Sequence, residues 1–270
     1  MKMRKLSVRA GLYLATTALI VFIAAPLLAI IGASVTTNPF WEFPPSGFTL
    51  RWYEEFFDTE NLVKSAIVSV LTGLIAGTVG TAIAMLAALG ITRTASRAGS
   101  VFAVVVLLPL LIPHIVLGLG IYTLYNAWGI RMNILALSMA QLIIVLPITV
   151  RTLMVATAGV SPNVERAAAN LGAGPFRVFW TVTVPMIRPS LIAAAVLGFV
   201  VAFDDASVAL FVNSADTISL PVRMLLSLDQ QSGPLVAAAG SLLLLVALVL
   251  IVALEFTVGL AKALGIPDRR

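Results

Sequence analysis

Two adjacent aspartates, Asp204 and Asp205, lie within an otherwise apolar stretch of sequence, LGFVVAFDDASVALFV. A charged side chain at the centre of a bilayer costs about 2.5–3.5 kcal/mol on insertion scales, so a pair of carboxylates there must face a polar cavity or a partner. Such a pair could bind a cation or gate a pathway. The structural alternative is a helix end, or a pair satisfied by backbone groups or by another subunit. The sequence leaves both interpretations open.

The position of the two aspartates along their predicted helix limits how many of them could face a pathway. If a membrane helix begins after Pro189, Asp204 lies roughly 22 Å along it at 1.5 Å per residue, past the middle of the membrane. Successive helical residues point about 100° apart, so at most one of the two carboxylates is expected to face a pathway directly.

Other residues with catalytic potential are few. His114 is the single histidine, and the chain has no cysteine. A metal site needs several ligands, and none clusters near His114 in the sequence. An intramembrane enzyme would need a nucleophile with a base, or a set of metal ligands, and no H-E-x-x-H occurs. We predict no catalytic residue and no metal site. We interpret His114 as a hydrogen-bonded or interface residue, with a proton relay as the alternative.

The composition defines the class of protein that must position these groups. The 270 residues are 60% hydrophobic and 11% charged, with a mean hydropathy of +1.06. Soluble domains are about one quarter charged. We therefore predict an all-α polytopic membrane protein that forms one transmembrane domain, residues 1–270. A span needs roughly 20 apolar residues. Six segments meet this requirement: 11–34, 62–89, 101–125, 134–156, 190–212 and 235–259.

The basic residues are distributed unequally between the two sides. With six spans, 13 Lys and Arg fall on the side of the N-terminus and 4 on the other side. The positive-inside rule then places both termini and the segment 157–189 in the cytoplasm. The net charge of +5 follows from this retention, and we predict no nucleic-acid partner. The first apolar run is long enough to span, so we expect a membrane helix there rather than a cleaved signal peptide.

The segment 157–189 contains ERAAANLGAGPFRVFWTVTVPMIRP and differs from the spans around it. Ser161 can cap a helix that begins at Pro162. Gly172 can end this helix in a left-handed conformation. Pro175 can begin a second short helix over 175–183. The pattern predicts two short helices separated by a turn.

Two further prolines, Pro185 and Pro189, are expected to break the chain before the fifth span begins. Alanines at 167, 168 and 169 give the first short helix a smooth surface suited to docking into a groove on another protein. The alternative, an amphipathic helix on lipid, is less favoured because this helix lacks a large apolar face.

This segment resembles the cytoplasmic EAA loop of ATP-binding-cassette importer permeases. The family pattern is E-A-A, three residues, glycine, and a proline further on, and here Ala167, Ala168, Gly172 and Pro185 keep its spacing. Arg166 occupies the place of the family glutamate, and an acid stands one position earlier. The resemblance implies a coupling helix between spans four and five. The residues that it assigns to coupling are Glu165, Arg166, Ala167, Ala168, Gly172 and Ala173.

The resemblance extends to the spermidine/putrescine-type permeases. It is carried by FPPSGFTLRWYEEFF, by Leu108-Pro109 with Ile112-Pro113, and by Phe203-Asp204-Asp205. It implies a bacterial inner-membrane subunit that pairs with a second permease, as a heterodimer. A cytoplasmic dimer of ATP-binding subunits and a periplasmic solute-binding protein complete the assembly. No G-x-x-x-x-G-K-[ST] occurs, so ATP and Mg are expected on the partner, with no cofactor in this chain.

The solute is the least determined feature. The aspartate pair favours a polyamine or a related organic cation, with Asp204 and Asp205 lining the pathway. Relatives of this class also serve opines, thiamine, phosphonates and iron, so these stay open. An ion-coupled secondary transporter is a further alternative, but it would need charged relays in several spans.

Overall fold

A computed structural model describes residues 2–94, 97–228 and 233–259. These residues form helices joined by turns and contain no β-strand, only a single bridge between Thr36 and Phe48. The all-helical prediction is confirmed. The α-helices are α1 (Lys2–Ser34), α2 (Arg51–Asp58), α3 (Glu60–Arg93), α4 (Arg97–Leu107), α5 (His114–Ala127), α6 (Ile134–Ala158), α7 (Pro162–Asn170), α8 (Pro175–Val178), α9 (Val184–Phe203), α10 (Ala209–Val212), α11 (Leu220–Leu228) and α12 (Pro234–Val258).

Within the described ranges, five helices are long and apolar enough to cross a membrane, and a bent pair could make a sixth. This agrees with the predicted number of spans. The first, second, fourth and sixth spans match α1, α3, α6 and α12, with ends shifted by a few residues. Most described side chains of α1 are exposed and apolar, as expected for a helix surrounded by lipid or by another subunit.

The third predicted span, 101–125, is not one continuous helix. A single 3₁₀ turn, Leu108–Leu111, follows α4, and the chain then bends by 105° before α5 begins at His114. Pro113 removes one backbone donor and excludes the helical conformation at the residue before it, so the helix cannot run straight through this point.

The fifth predicted span, 190–212, is wrong at both ends. One continuous helix runs from Pro175 to Phe203 through a π-helical turn, Phe179–Thr183, and the predicted break at Pro185 and Pro189 does not occur. If the chain became non-helical in apolar surroundings, several backbone N–H and C=O groups would lose their hydrogen bonds. Each proline removes only one donor, so the helix is the more stable choice. The chain leaves the helix at Asp204 instead, and the short helix α10 follows.

The residues divide into two compact units, and the first comprises Met1–Val63 and Met224–Leu244. Within it, the chain after α1 is held by two side chains of α2. The indole Nε1 of Trp52 donates to the carbonyl of Thr36 at 2.7 Å, and the hydroxyls of Ser34 and Tyr53 are 2.7 Å apart. Trp52 is buried, and this hydrogen bond satisfies the only polar group of its side chain.

The second unit comprises Lys64–Arg223 and Leu245–Arg270. Its core lies where α6 packs against α9, with buried Val, Ala and Met side chains of α3 and buried Ile and Tyr side chains of α5 added to it. Glycine permits the closest approach: a Cβ on Gly77 would lie 2.7 Å from the backbone nitrogen of Phe199. The Cα of Gly77 also lies 3.2 Å from where a Cβ on Gly198 would sit. Small residues at this crossing let α3 and α9 touch through their backbones.

Candidate functional site

Helix α7 begins and ends at the residues that the sequence predicted. The hydroxyl of Ser161 accepts a hydrogen bond from the backbone N–H of Asn163 at 3.3 Å, and Pro162 occupies the first turn. Gly172 follows the helix with φ +87°, a conformation that side chains with a Cβ rarely adopt. The turn at Gly172 therefore redirects the chain into α8 at Pro175.

One carboxylate holds α7 against two other helices. Oε1 of Glu165 accepts a hydrogen bond from Nη2 of Arg93 at 2.7 Å and another from the Thr183 hydroxyl at 2.8 Å. Arg93 is the last residue of α3, and Thr183 lies in the π-helical turn before α9. Glu165 thus connects α7 to the ends of two membrane-length helices. Arg93 and Thr183 could not be assigned to this site from the sequence, because they lie 72 and 18 residues away from Glu165.

An open cavity of about 610 Å³ lies beside this carboxylate. Three of the six residues predicted for coupling contribute to it, namely Glu165, Arg166 and Ala173, whereas Ala167, Ala168 and Gly172 do not. The walls are otherwise mainly apolar. The lining residues are Leu89, Gly90, Arg93, Pro162, Glu165, Arg166, Ala169, Ala173, Pro175, Val178, Phe179 and Thr183.

Large apolar side chains in the segment that lines the cavity are left uncovered by the described part of the chain. Leu171 is 90% exposed, Phe176 is 77% exposed and Trp180 is 54% exposed. The rings of Phe176 and Trp180 pack edge to face, with centroids 6.2 Å apart. Exposed aromatic and leucine side chains clustered around a concave surface are typical of a protein-docking site.

The structure separates the two aspartates of the second predicted site. Asp205 is 6% exposed, and its carboxylate accepts hydrogen bonds from the backbone N–H groups of Val208 at 3.2 Å and Ala209 at 3.0 Å. Asp204 is exposed, follows the last residue of α9, and has no side-chain hydrogen bond to any described residue. Asp205 therefore stabilises the turn into α10, and only Asp204 is available to a ligand.

A buried polar group supports this turn from α6. Nε2 of Gln141 donates to the carbonyl of Ala202 at 2.9 Å, and the same side chain interacts with the Asp205 carboxylate. His114, at the bend before α5, is close enough to Asp205 for an electrostatic interaction. No group of three or more His, Asp and Glu side chains that could hold a metal ion occurs among the residues described. Sequence reasoning missed Gln141, whose only signal was an amide within an apolar span.

The segment between α1 and α2 has an exposed aromatic surface. Glu42 accepts hydrogen bonds from the Ser46 hydroxyl at 2.7 Å and the Thr36 hydroxyl at 3.3 Å, and the bond from Ser46 is the main reason that the pKa of Glu42 is lowered. These bonds shape the turn that carries the aromatic side chains. The exposed rings of this segment are Phe40, Trp41, Phe43 and Phe48, and Phe57 of α2 is exposed as well.

Comparison with known proteins places this arrangement in a family. Residues 80–258 match the family described as "Binding-protein-dependent transport system inner membrane component". The chain is also 25% identical over 240 residues to the spermidine/putrescine transport system permease protein PotC of Escherichia coli strain K12. That alignment covers 88% of this chain and 89% of PotC.

Two further similarities involve proteins whose names give different solutes. The chain is 28% identical over 255 residues to the molybdenum transport system permease protein ModB of Mycobacterium bovis, covering 89% of this chain and 90% of ModB. A bacterial alginate ABC transporter, solved in complex with an alginate pentasaccharide-bound periplasmic protein, aligns with a TM-score of 0.70 at 14% identity. That alignment covers 97% of this chain and 96% of the other, and at this identity it establishes the fold alone.

Proposed function

The chain belongs to the binding-protein-dependent inner-membrane components, which are the permease subunits of ATP-binding-cassette importers, and we propose that its solute is a polyamine or a related organic cation. Members of this family are transport subunits rather than enzymes. They work with a solute-binding protein and with an ATPase on a separate subunit. In this proposal, residues 1–270 form one permease domain that supplies half of the translocation path, and a second permease chain, as a heterodimer, supplies the other half.

The observation that supports energy coupling is the attachment of α7. A helix of nine residues, with exposed apolar side chains beside it, is connected through Glu165 to the end of α3 and to the start of α9. A partner that moves α7 would therefore move both long helices. We propose that α7 is the coupling helix and that the ATP-binding subunit docks on it.

The orientation is proposed from charge. The excess of Lys and Arg on one side favours a cytoplasmic position for both termini and for α7. ATP and Mg would then be bound by the partner ATPase beneath α7, and the solute-binding protein would approach the opposite, periplasmic face.

The preference for a cation rests on Asp204. Its exposed carboxylate lies directly after a membrane-length helix, where an acid costs free energy unless it faces a polar space or a positive charge. PotC, by its name, belongs to a spermidine/putrescine transport system. A positively charged solute of that kind would be attracted by a carboxylate on the translocation path. An anionic solute such as molybdate or alginate would be repelled by the same group.

The proposal is tested by ATPase activity in lipid nanodiscs. The permease is co-purified with a candidate ATPase, a second permease and a binding protein from neighbouring genes. Hydrolysis is measured with the binding protein empty or loaded with putrescine or spermidine. We expect stimulation by the loaded protein. We expect Gly172→Leu to abolish this stimulation, because φ +87° strains any residue with a side chain and would turn α8 away from α7.

Each outcome separates one part of the proposal from another. A stable complex whose hydrolysis is indifferent to polyamines would keep the importer architecture and discard the proposed solute. Failure of any ATPase to co-purify would contradict the assignment of α7 and favour the ion-coupled alternative.

Asp204 gives a second prediction about the solute. Asp204→Asn keeps the shape of the side chain and removes its charge, so we expect polyamine uptake to fall about tenfold while the assembled complex is recovered in normal yield. Uptake of radiolabelled putrescine into proteoliposomes, divided by the amount of complex, measures this effect. Asp216→Asn, a change of equal size in the turn after α10, is the control. Unchanged uptake by Asp204→Asn would remove Asp204 from the path.

A further inference from the structure

The charge of the proposed docking surface is positive. The segment 157–189 contains three arginines, Arg166, Arg177 and Arg188, and its single acid is Glu165. All three arginines are exposed, and none forms an ion pair with a described residue. The segment therefore carries an excess of positive charge, and Arg166 is the member of the three that lines the cavity.

Glu165 cannot balance this charge, because it is already bound within the chain. Its ion pair with Arg93 and its hydrogen bond from Thr183 both use Oε1 and orient the carboxylate towards α3 and α9. Arg93 also contributes a positive charge of its own. The Glu165 carboxylate thus attaches α7 to other helices of the same chain. It adds no net negative charge to the face that a partner would contact.

Arg166 projects away from that attachment. Successive residues of a helix point about 100° apart, so the Arg166 side chain leaves α7 in a different direction from that of Glu165. Arg166 is exposed and lines the cavity, within the same segment as the exposed Leu171 and Phe176. When a partner protein covers these apolar side chains, water leaves the interface. A guanidinium in that interface is then stabilised only if the partner places an opposite charge next to it.

We propose that the ATP-binding subunit that docks on α7 presents a carboxylate opposite Arg166, within an otherwise apolar groove that receives Leu171 and Phe176. This inference rests on the proposed function, because it takes the ATP-binding subunit as the occupant of the α7 surface. It adds the chemistry of the contact: a carboxylate at this point of the groove distinguishes the cognate ATPase from one that carries a basic residue there.

Charge reversal at one residue tests the complementarity. The ATP-binding subunit encoded with this chain is co-expressed with the full-length permease, and the affinity of the detergent-solubilised complex is measured. We expect Arg166→Glu to weaken binding on the order of tenfold at low salt, and Arg166→Lys to preserve it. We also expect 0.5 M NaCl to weaken wild-type binding, because the Debye length then falls well below 10 Å.

Arg131→Glu is the matched control. Arg131 is an exposed arginine in the turn before α6, at the opposite end of that helix from α7. Helix α6 has 25 residues, so at 1.5 Å per residue the two ends are roughly 37 Å apart. We expect this reversal to leave ATPase binding unchanged.

A zero-length cross-link identifies the carboxylate directly. Arg166→Lys introduces a primary amine, which a water-soluble carbodiimide joins only to a carboxylate in contact with it. We expect mass spectrometry to find this position linked to an Asp or Glu of the ATP-binding subunit, and to find no such link at Arg131→Lys.

The two proposals fail in different ways. If the wild-type chain binds the ATP-binding subunit and Arg166→Glu binds equally well without any cross-link from Arg166→Lys, the acidic contact is wrong and the coupling role of α7 survives. If the wild-type chain does not bind the ATP-binding subunit, the docking itself is wrong and the acidic contact falls with it.

Discussion

Gly77→Val is expected to destabilise the second unit strongly. A Cβ at this position would lie 2.7 Å from the backbone nitrogen of Phe199 and 2.8 Å from the carbonyl oxygen of Ala195. Backbone atoms within a helix cannot move aside as the end of a flexible side chain can, so α3 and α9 would have to separate. Overpacking of a core costs about 1–3 kcal/mol, and a backbone clash lies at the upper end of that range. Thermal unfolding of the purified chain in detergent measures the loss.

Gly120→Val is the control for this prediction. Gly120 lies within α5, and outside the adjacent backbone of α5 no described atom lies within 4 Å of the position of its added Cβ. We expect this variant to unfold within a few degrees of the wild-type chain. Equal stability of Gly77→Val and Gly120→Val would show that α3 and α9 do not touch through their backbones.

Asp205→Ala is expected to destabilise the turn into α10 by about 2 kcal/mol or more. The change leaves the backbone N–H groups of Val208 and Ala209 without the carboxylate that accepts from both of them. A lost helix cap costs about 1 kcal/mol, and each buried donor left unsatisfied costs about 1–3 kcal/mol. Lower yield and a lower unfolding temperature of the purified chain would record this change.

The neighbouring aspartate separates this structural role from transport. Asp204→Ala removes an exposed carboxylate with no side-chain hydrogen bond to a described residue, so we expect its unfolding temperature to stay close to that of the wild-type chain. Asp205→Asn keeps one acceptor and should lie between the two alanine variants. If Asp204→Ala proved as unstable as Asp205→Ala, the division of the pair into a structural and an available carboxylate would be wrong.

Features that depend on neighbouring residues were predictable from the sequence. Apolar runs of sufficient length predicted the membrane helices, and Ser161 with Gly172 predicted the limits of α7, because capping and left-handed turns involve residues a few positions apart. These predictions succeeded where the determining interaction lies within one or two helical turns.

The wrong predictions concern features that depend on the surroundings of the chain and not on neighbouring residues alone. Pro185 and Pro189 predicted a break because each proline removes a local hydrogen bond, yet the helix continues to Phe203. In apolar surroundings a helix that lacks a few bonds is more stable than a chain that leaves many backbone groups unpaired. The break occurs instead beyond Phe203, where the Asp205 carboxylate supplies acceptors for the freed N–H groups.

By itself, the sequence determined the membrane class, the helical architecture, the limits of α7 and the candidate residues. Only the tertiary structure decided what those residues contact. It joined Glu165 to Arg93 across 72 positions, buried Asp205 against Gln141 and left Asp204 exposed. The physical reason is that capping and hydrophobicity act along the chain. The pairing of charges and the close approach of helices depend on how segments far apart in sequence pack together.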